Sequence, residues 1–197
     1  MADSIIMQGP GYTIARISET ETGVPYGEAI RPDGQRNHGF FDLRNRPELV
    51  AQIPEAQNSA GMQAVLQALN SIDSRFMSLG CARGVFPQQE AQPGEPTYLC
   101  GSYIQMAYRE STLNSDPDRF INLSKKILSA VVASPEYHFG FEMIVEPLRS
   151  FFGASGCFAL MVKPLGYGTS EITAIAAWEY AAAAVAEAIT NINSEGK

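Results

Sequence analysis

Two segments far apart in the chain carry an apolar stripe with helical spacing. In both, apolar side chains recur at intervals of three and four residues, which places them on one face of an α-helix. The first stripe comprises Met62, Val65, Leu69, Ile72, Phe76 and Leu79, and the second Ile175, Trp178, Ala182, Val185, Ile189 and Ile192. A helix with one apolar face must lay that face on a sheet or on another helix. The stripes therefore predict a layered fold built around long helices.

Strand signals alternate with these helices along the chain. The segment from His138 to Glu146 alternates apolar and polar side chains, which predicts a strand with one buried and one mostly polar face. Asp116 and Pro117 are typical of a helix start. We predict a hairpin at 4–7 and 12–17, helices over 59–79, 116–133 and from about 169 onward, and strands over 97–109, 138–146 and 157–163, with Gly80 ending the first helix.

The order of these elements predicts the fold class. Helices separated by single strands or by a hairpin favour a mixed or antiparallel sheet over a doubly wound parallel one. A sheet covered on both faces would also read as apolar throughout, unlike the segment from His138. We expect an α+β two-layer sandwich of about five strands with three main helices packed on one face. The chain, 1–197, is predicted to be a single domain with a long loop at about 19–46.

Composition narrows the classes of partner. The chain has 197 residues, of which 45% are hydrophobic and 18% are charged. These proportions are typical of a folded globular domain rather than of a disordered chain. A net charge of -7 would repel nucleic-acid phosphates and anionic lipid. We therefore expect neither a nucleic-acid partner nor a membrane partner.

The cysteines and the chain start bear on location. The first twenty residues lack a basic leader followed by a long apolar stretch, so we expect no secretory signal. The longest apolar tract, Ala181 to Ala186, is far shorter than the roughly 20 residues of a membrane span. Three cysteines without CxxC spacing favour a reducing, cytoplasmic compartment. The two histidines lie far apart in sequence, and we expect neither a metal nor a cofactor.

A cysteine nucleophile is the sharpest enzymatic hypothesis. Cys157 or Cys81 would attack the substrate, with His138 as the base; His38 is the other candidate base. Against this, the predicted position of Cys81 just after a helix C-terminus would raise its pKa, although Arg83 could offset the effect. Cys157 begins a strand, where a free cysteine is most often a small apolar side chain.

The long loop concentrates arginines in an otherwise acidic chain. Arginine suits a bidentate grip on a carboxylate or a phosphate. The loop could therefore close over an anionic ligand, with its candidate contacts being Arg31, Arg36, His38, Arg44 and Arg46. The alternative is internal pairing with the carboxylates of the same loop, Glu28, Asp33, Asp42 and Glu48.

A second candidate anion site precedes the last helix. The run from Lys163 through Gly168, Thr169 and Ser170 joins a strand to a helix N-terminus, where free N–H groups favour an anion. The alternative is that Thr169 or Ser170 only caps the helix. Lys163 would also meet Glu142 and His138 on the polar sheet face, either as a titratable cluster or as a solvated surface.

These observations favour binding over catalysis. We expect a non-catalytic cytosolic binding or interaction domain that recognises a small anionic ligand or a protein partner. The final helix is the predicted surface for a homodimer. The alternative is a thiol-dependent hydrolase or amidotransfer-type enzyme.

Overall fold

A mixed six-stranded sheet forms one layer of the fold, and three helices pack on one of its faces. The computed structural model describes residues 4–19, 22–30, 34 and 36–195. The strands run in the order Ser4–Gly9 (β1), Tyr12–Arg16 (β2), His138–Leu148 (β8), Cys157–Gly168 (β10), Tyr98–Tyr108 (β7) and Phe76–Pro87 (β6). The strand β2 is parallel to β8, and the other neighbours are antiparallel. The predicted α+β two-layer sandwich is confirmed, with six strands in place of about five.

The main strands are long and the helices differ in length. The sheet strands are β1 Ser4–Gly9, β2 Tyr12–Arg16, β6 Phe76–Pro87, β7 Tyr98–Tyr108, β8 His138–Leu148 and β10 Cys157–Gly168. Short pairings add β3 Gly23–Val24 with β9 Ser150–Phe151, and β4 Ala29–Ile30 with β5 Arg36–Asn37. The helices are α1 Ala60–Asn70, α2 Pro117–Ala130 and α3 Glu171–Ser194, with short 3-10 turns at 47–52, 54–56 and 111–115.

The prediction of the first helix, over 59–79, is wrong in its second half. The helix α1 ends at Asn70, whose side-chain amide donates to the Leu66 carbonyl and to the Ser78 hydroxyl. The chain then turns, leaves Ile72 exposed, and enters strand β6. Both faces of the strand are buried at its start, so apolar residues follow one another there without alternation. Such a run also contains residues with helical spacing, which explains the wrong prediction.

Gly80 and Cys81 therefore do not follow a helix. Both lie in β6, where a bulge between Ser78 and Gly80 shifts the pairing with β7. The Tyr26 hydroxyl lies so close to Gly80 that an added Cβ would be 2.7 Å from its oxygen. The strand β6 continues to Pro87.

Trp178 anchors the helical layer to the sheet. Its indole is fully buried, and Nε1 donates a 2.9 Å hydrogen bond to the Ser102 hydroxyl on β7. Close approach is possible because β10 carries Gly166 where α3 crosses it: an added Cβ would lie 2.3 Å from the Trp178 backbone nitrogen. The apolar stripe predicted for the last helix is thus buried within the chain, as expected.

Helix α3 is also long and apolar enough to cross a membrane by length and composition alone. Half of the apolar stretch of α3 that could span a membrane is buried inside the fold. Core helices of soluble proteins have the same composition, so the feature is weak evidence for a membrane span.

The opposite face of the sheet, called here the outer face, is covered over only part of its length. The covering segment is the described part of residues 22–43, called here the arm. Its residues Val24, Tyr26 and Phe40 pack with Phe151 against a second apolar cluster, which includes Met77, Leu79, Ala107, Leu148, Cys157 and Ala159. The rest of the outer face is open to solvent.

Candidate functional site

A cleft of about 580 Å³ lies where the arm meets the outer face of the sheet. We call it the arm cleft. Strands β7 and β10 contribute Tyr103, Gln105 and Met161, and the arm contributes Tyr26. Apolar and aromatic surface with a few polar groups is the usual character of a small-molecule site. Its other lining residues are Thr22, Gly23, Gly27, Ala29, Asn37, Gly80 and Arg149.

A buried carboxyl group supports the floor of the arm cleft. The Gln105 side-chain amide donates a 2.6 Å hydrogen bond to Glu146 on β8, and both side chains are buried. Burial raises the pKa of Glu146, while the Gln105 hydrogen bond acts in the opposite direction. The pair fixes the Gln105 side chain, so the polar group on the cleft floor is held in one orientation.

Arg149 supplies the positive charge of the arm cleft. Arg149 is exposed and directly follows β8. Its Nη2 atom would lie 3.3 Å from a Cβ placed on Gly23. The backbone N–H of Arg149 donates to the Thr22 carbonyl, which ties it to the arm. Among the residues that the structure describes, no carboxylate forms an ion pair with its guanidinium.

A second cavity, of about 280 Å³, lies on the other side of Tyr26. We call it the edge cavity because it borders the edge strand β6. The buried side chains of Leu43, Leu66 and Leu79 form its apolar wall. The polar groups that line it include Glu28, Asn37, His38, Glu55, Ser78 and Cys81.

A third depression, of about 750 Å³, occupies the open part of the outer face. Aligned residues of neighbouring strands, Gly84, Gly101 and Leu165, form a nearly flat floor. Phe86, which is 54% exposed, lies over Gly84, and the floor continues to Met161 and Lys163. Lys163 forms an ion pair with Glu142, so its charge is satisfied within the chain.

Two of the loop arginines that were predicted to bind an anion, Arg36 and Arg44, are paired within the chain. Arg36 donates to Glu28 at 2.5 Å on the protein surface. Arg44 binds Asp42 through two nitrogens and lies over the Phe152 ring. These hydrogen bonds lower the pKa values of both carboxyls and raise those of both guanidinium groups.

The remaining loop candidates do not form one site. Arg46 donates to the Asp42 backbone carbonyl at 2.7 Å. His38 lines the edge cavity, so it is close to a candidate site, although not the arginine cluster that was expected. Arg31 and Asp33 lie outside the described residues.

The predicted anion site before α3 is a completed helix cap. The Ser170 hydroxyl accepts the Thr173 N–H at 3.2 Å, and the Thr173 hydroxyl oxygen accepts the Ser170 N–H at 3.0 Å. This is a capping box, which satisfies two of the free donors. The Thr169 backbone carbonyl accepts a 3.1 Å hydrogen bond from the Thr97 hydroxyl, and Gly168 packs against Thr173.

The structure does not bring the candidate cysteines to His138. His138 pairs with Tyr167, whereas Cys157 pairs with Leu148 at the other end of the same hairpin. At roughly 3.3 Å per residue the two are about 33 Å apart along the strands. Cys81 is on β6, separated from β8 by β7 and β10.

The thiols themselves are poor nucleophiles. Burial and the nearby Glu55 carboxylate raise the pKa of Cys81 to about 12. Burial likewise raises the pKa of Cys100 to about 11 and raises that of Cys157. Thiolates are the reactive form, so these environments disfavour covalent catalysis.

His138 also stays apart from the Lys163–Glu142 pair. It packs against the Tyr167 ring, with 4.9 Å between centroids, four residues along β8 from Glu142. Within the described residues, no group of three or more His, Cys, Asp or Glu side chains is placed to hold a metal ion.

The residues that line the two cavities were mostly missed from the sequence. Tyr26, Glu55, the pair Tyr103 and Gln105, and Arg149 come from four separate segments, and none belongs to a recognisable motif. One usable signal is the alternation of β7, which sends Tyr103 and Gln105 to one face and Ser102 and Ile104 to the other. Comparison with protein-family models, with curated proteins and with solved structures gave no match.

Proposed function

We propose that this chain is a non-catalytic, cytoplasmic binding domain that holds a small anionic ligand in the arm cleft. The observation that carries the proposal is the juxtaposition of Arg149 with the tyrosine-lined and methionine-lined cleft between arm and sheet. An arginine matches the planar geometry of a carboxylate or phosphate. Tyr26, Tyr103 and Met161 would contact the apolar body of the same ligand.

The paired loop arginines support the choice of the arm cleft over the loop surface. Arg36 and Arg44 would have to give up Glu28 and Asp42 before they could bind an anion. Arg149 has no such competitor among the described residues. The ligand's charged group therefore belongs beside Arg149, with its apolar part toward Met161.

The test is titration with small aromatic carboxylates and phosphate esters, followed by ligand-observed NMR. We expect saturable binding that Arg149→Met weakens by about tenfold or more, since a charge-assisted hydrogen bond contributes about 1.5–3 kcal/mol. The matched control is Lys125→Met, which removes an equally exposed charge from α2 on the other side of the sheet. Equal affinity of Arg149→Met and the unchanged protein would refute the proposal, as would an absence of any anion binding.

A protein partner is the second candidate function, and it would use a different surface. The half-exposed Phe86 ring and its neighbours Leu99 and Leu165 offer apolar contact area on the open outer face. The predicted homodimer through the final helix has less support, because the apolar stripe of α3 is already buried; Ile172 is its large exposed apolar residue. Sedimentation of the Phe86→Ser and Ile172→Ser variants distinguishes association through the outer face from a homodimer through α3.

A further inference from the structure

The edge cavity has features that differ from those of the arm cleft. Its wall is apolar and its deepest side chains, Leu43, Leu66 and Leu79, are buried. Its volume of about 280 Å³ is close to the lower end of the usual range for small-molecule pockets, about 300–1,000 Å³. It therefore suits a ligand smaller than the one expected in the arm cleft.

The charge at the edge cavity is negative. Two carboxylates line it, Glu28 and Glu55, and the one titratable base among its described lining residues is His38. Glu28 is neutralised by Arg36 at 2.5 Å. Glu55 has no ion-pair partner among the described residues, so its charge is available to a ligand.

The Glu55 charge also reaches the interior of the cavity. Cys81 is a partly buried lining residue, and the Glu55 carboxylate is close enough to contribute to the raised pKa of its thiol. A cation in the cavity would meet this carboxylate in a partly desolvated setting, where charge attraction is stronger than in bulk water. An anion would meet repulsion there.

We propose that the edge cavity is a second ligand site, which takes a small molecule with an apolar body and a protonated amine, with Glu55 binding the amine. The apolar body contacts Leu43, Leu66 and Leu79. The edge cavity adjoins the arm cleft and shares Tyr26, Asn37, Gly80 and Tyr103 with it. The charged residues differ, because Glu55 lines only the edge cavity and Arg149 lines only the arm cleft.

Three probes of nearly equal shape and different charge test the proposal: benzylamine, benzyl alcohol and benzoate. We expect benzylamine to bind at least tenfold more tightly than the alcohol in a titration followed by backbone amide NMR. The shifted amides should include those of Leu79 and Cys81, which line the edge cavity and not the arm cleft. Equal affinity for the amine and the alcohol, or no binding of benzylamine, would overturn the proposal.

Variants then assign the charge to one residue. Glu55→Gln should lower benzylamine affinity to that of the alcohol, whereas Glu48→Gln, an exposed carboxylate on the preceding turn outside the cavity, should leave it unchanged. Both changes keep the shape of the side chain, and neither residue is fully buried. Unchanged affinity in Glu55→Gln would overturn the assignment. Arg149→Met should leave amine binding intact, which separates this site from the proposed anion site.

Discussion

The side chain of Gln105 donates a 2.6 Å hydrogen bond to the buried carboxyl group of Glu146, reaching across the intervening strand β10. The pair lies on the outer face beneath the arm, at a place where the sequence predicts a polar surface. A carboxyl group in this setting is costly to ionise, and burial raises the pKa of Glu146. This gives the fold a predictable pH dependence.

We expect stability to fall as pH rises from about the ordinary glutamate value through the raised pKa of Glu146. A raised folded-state pKa means that the folded protein binds more protons than the unfolded chain, so its stabilising effect is complete at low pH and is lost as the carboxyl ionises. Each unit of upward shift corresponds to about 1.4 kcal/mol. Glu146→Gln keeps an acceptor for Gln105 and should remove this component from urea-denaturation curves measured between pH 4 and 8.

Glu187→Gln is the matched control, since Glu187 lies exposed on α3. Its pH profile should follow that of the unchanged protein. A Glu146→Gln profile that also follows it would mean that Glu146 ionises as freely in the fold as in the unfolded chain.

Trp178 and Ser102 form a buried polar contact between α3 and the sheet. Ser102→Ala leaves the buried indole N–H without its acceptor, which should cost about 1–3 kcal/mol in the free energy of unfolding. In a Trp178→Phe background there is no donor to leave unsatisfied, so the same Ser102→Ala change should cost far less. Equal costs in the two backgrounds, measured by chemical denaturation, would contradict the hydrogen bond.

Gly166 sets how closely α3 approaches β10. An alanine Cβ there would lie 2.3 Å from the Trp178 nitrogen and 2.4 Å from the Ala174 carbonyl oxygen, both backbone atoms that cannot rotate away. We expect Gly166→Ala to cost at least about 1–3 kcal/mol, the usual cost of overpacking. Gly101→Ala, whose Cβ would meet only Leu165 at 3.7 Å, should be neutral or slightly stabilising. Thermal unfolding of the two variants provides the comparison.

Periodicity predicted the fold class well because most elements show one clear period. The strand from His138 alternates over most of its length, and its alternate side chains Phe141, Met143 and Val145 do face the helices. The segment from Phe76 fails for a physical reason. Its apolar residues are buried on both faces, under the helices and under the arm, so alternation is lost and the helical spacing continues by coincidence.

The candidate sites were much harder to predict. The arm cleft depends on how residues near Tyr26 cross the sheet over Tyr103 and Gln105, a contact between distant segments that no local pattern encodes. The same limitation explains Glu146, which an alternating strand places on a polar face and which is nevertheless buried in the fold beside Gln105. Pairing of Arg44 with a carboxylate of the same loop was predicted as the alternative to anion binding, and Asp42, two positions away, is its partner.

The three cysteines should be slow to react with thiol reagents in the folded protein. With a pKa of about 12 for Cys81, roughly one thiol in 10⁴ or fewer is ionised near neutral pH, and burial further limits access. Reaction with a disulfide reagent at pH 7.5 should therefore be slow for all three thiols and become rapid in urea, where Cys81, Cys100 and Cys157 are exposed. Single-cysteine variants assign each rate. Rapid reaction of Cys81 or Cys157 in the folded state would instead favour the thiol-dependent enzyme over the binding domain.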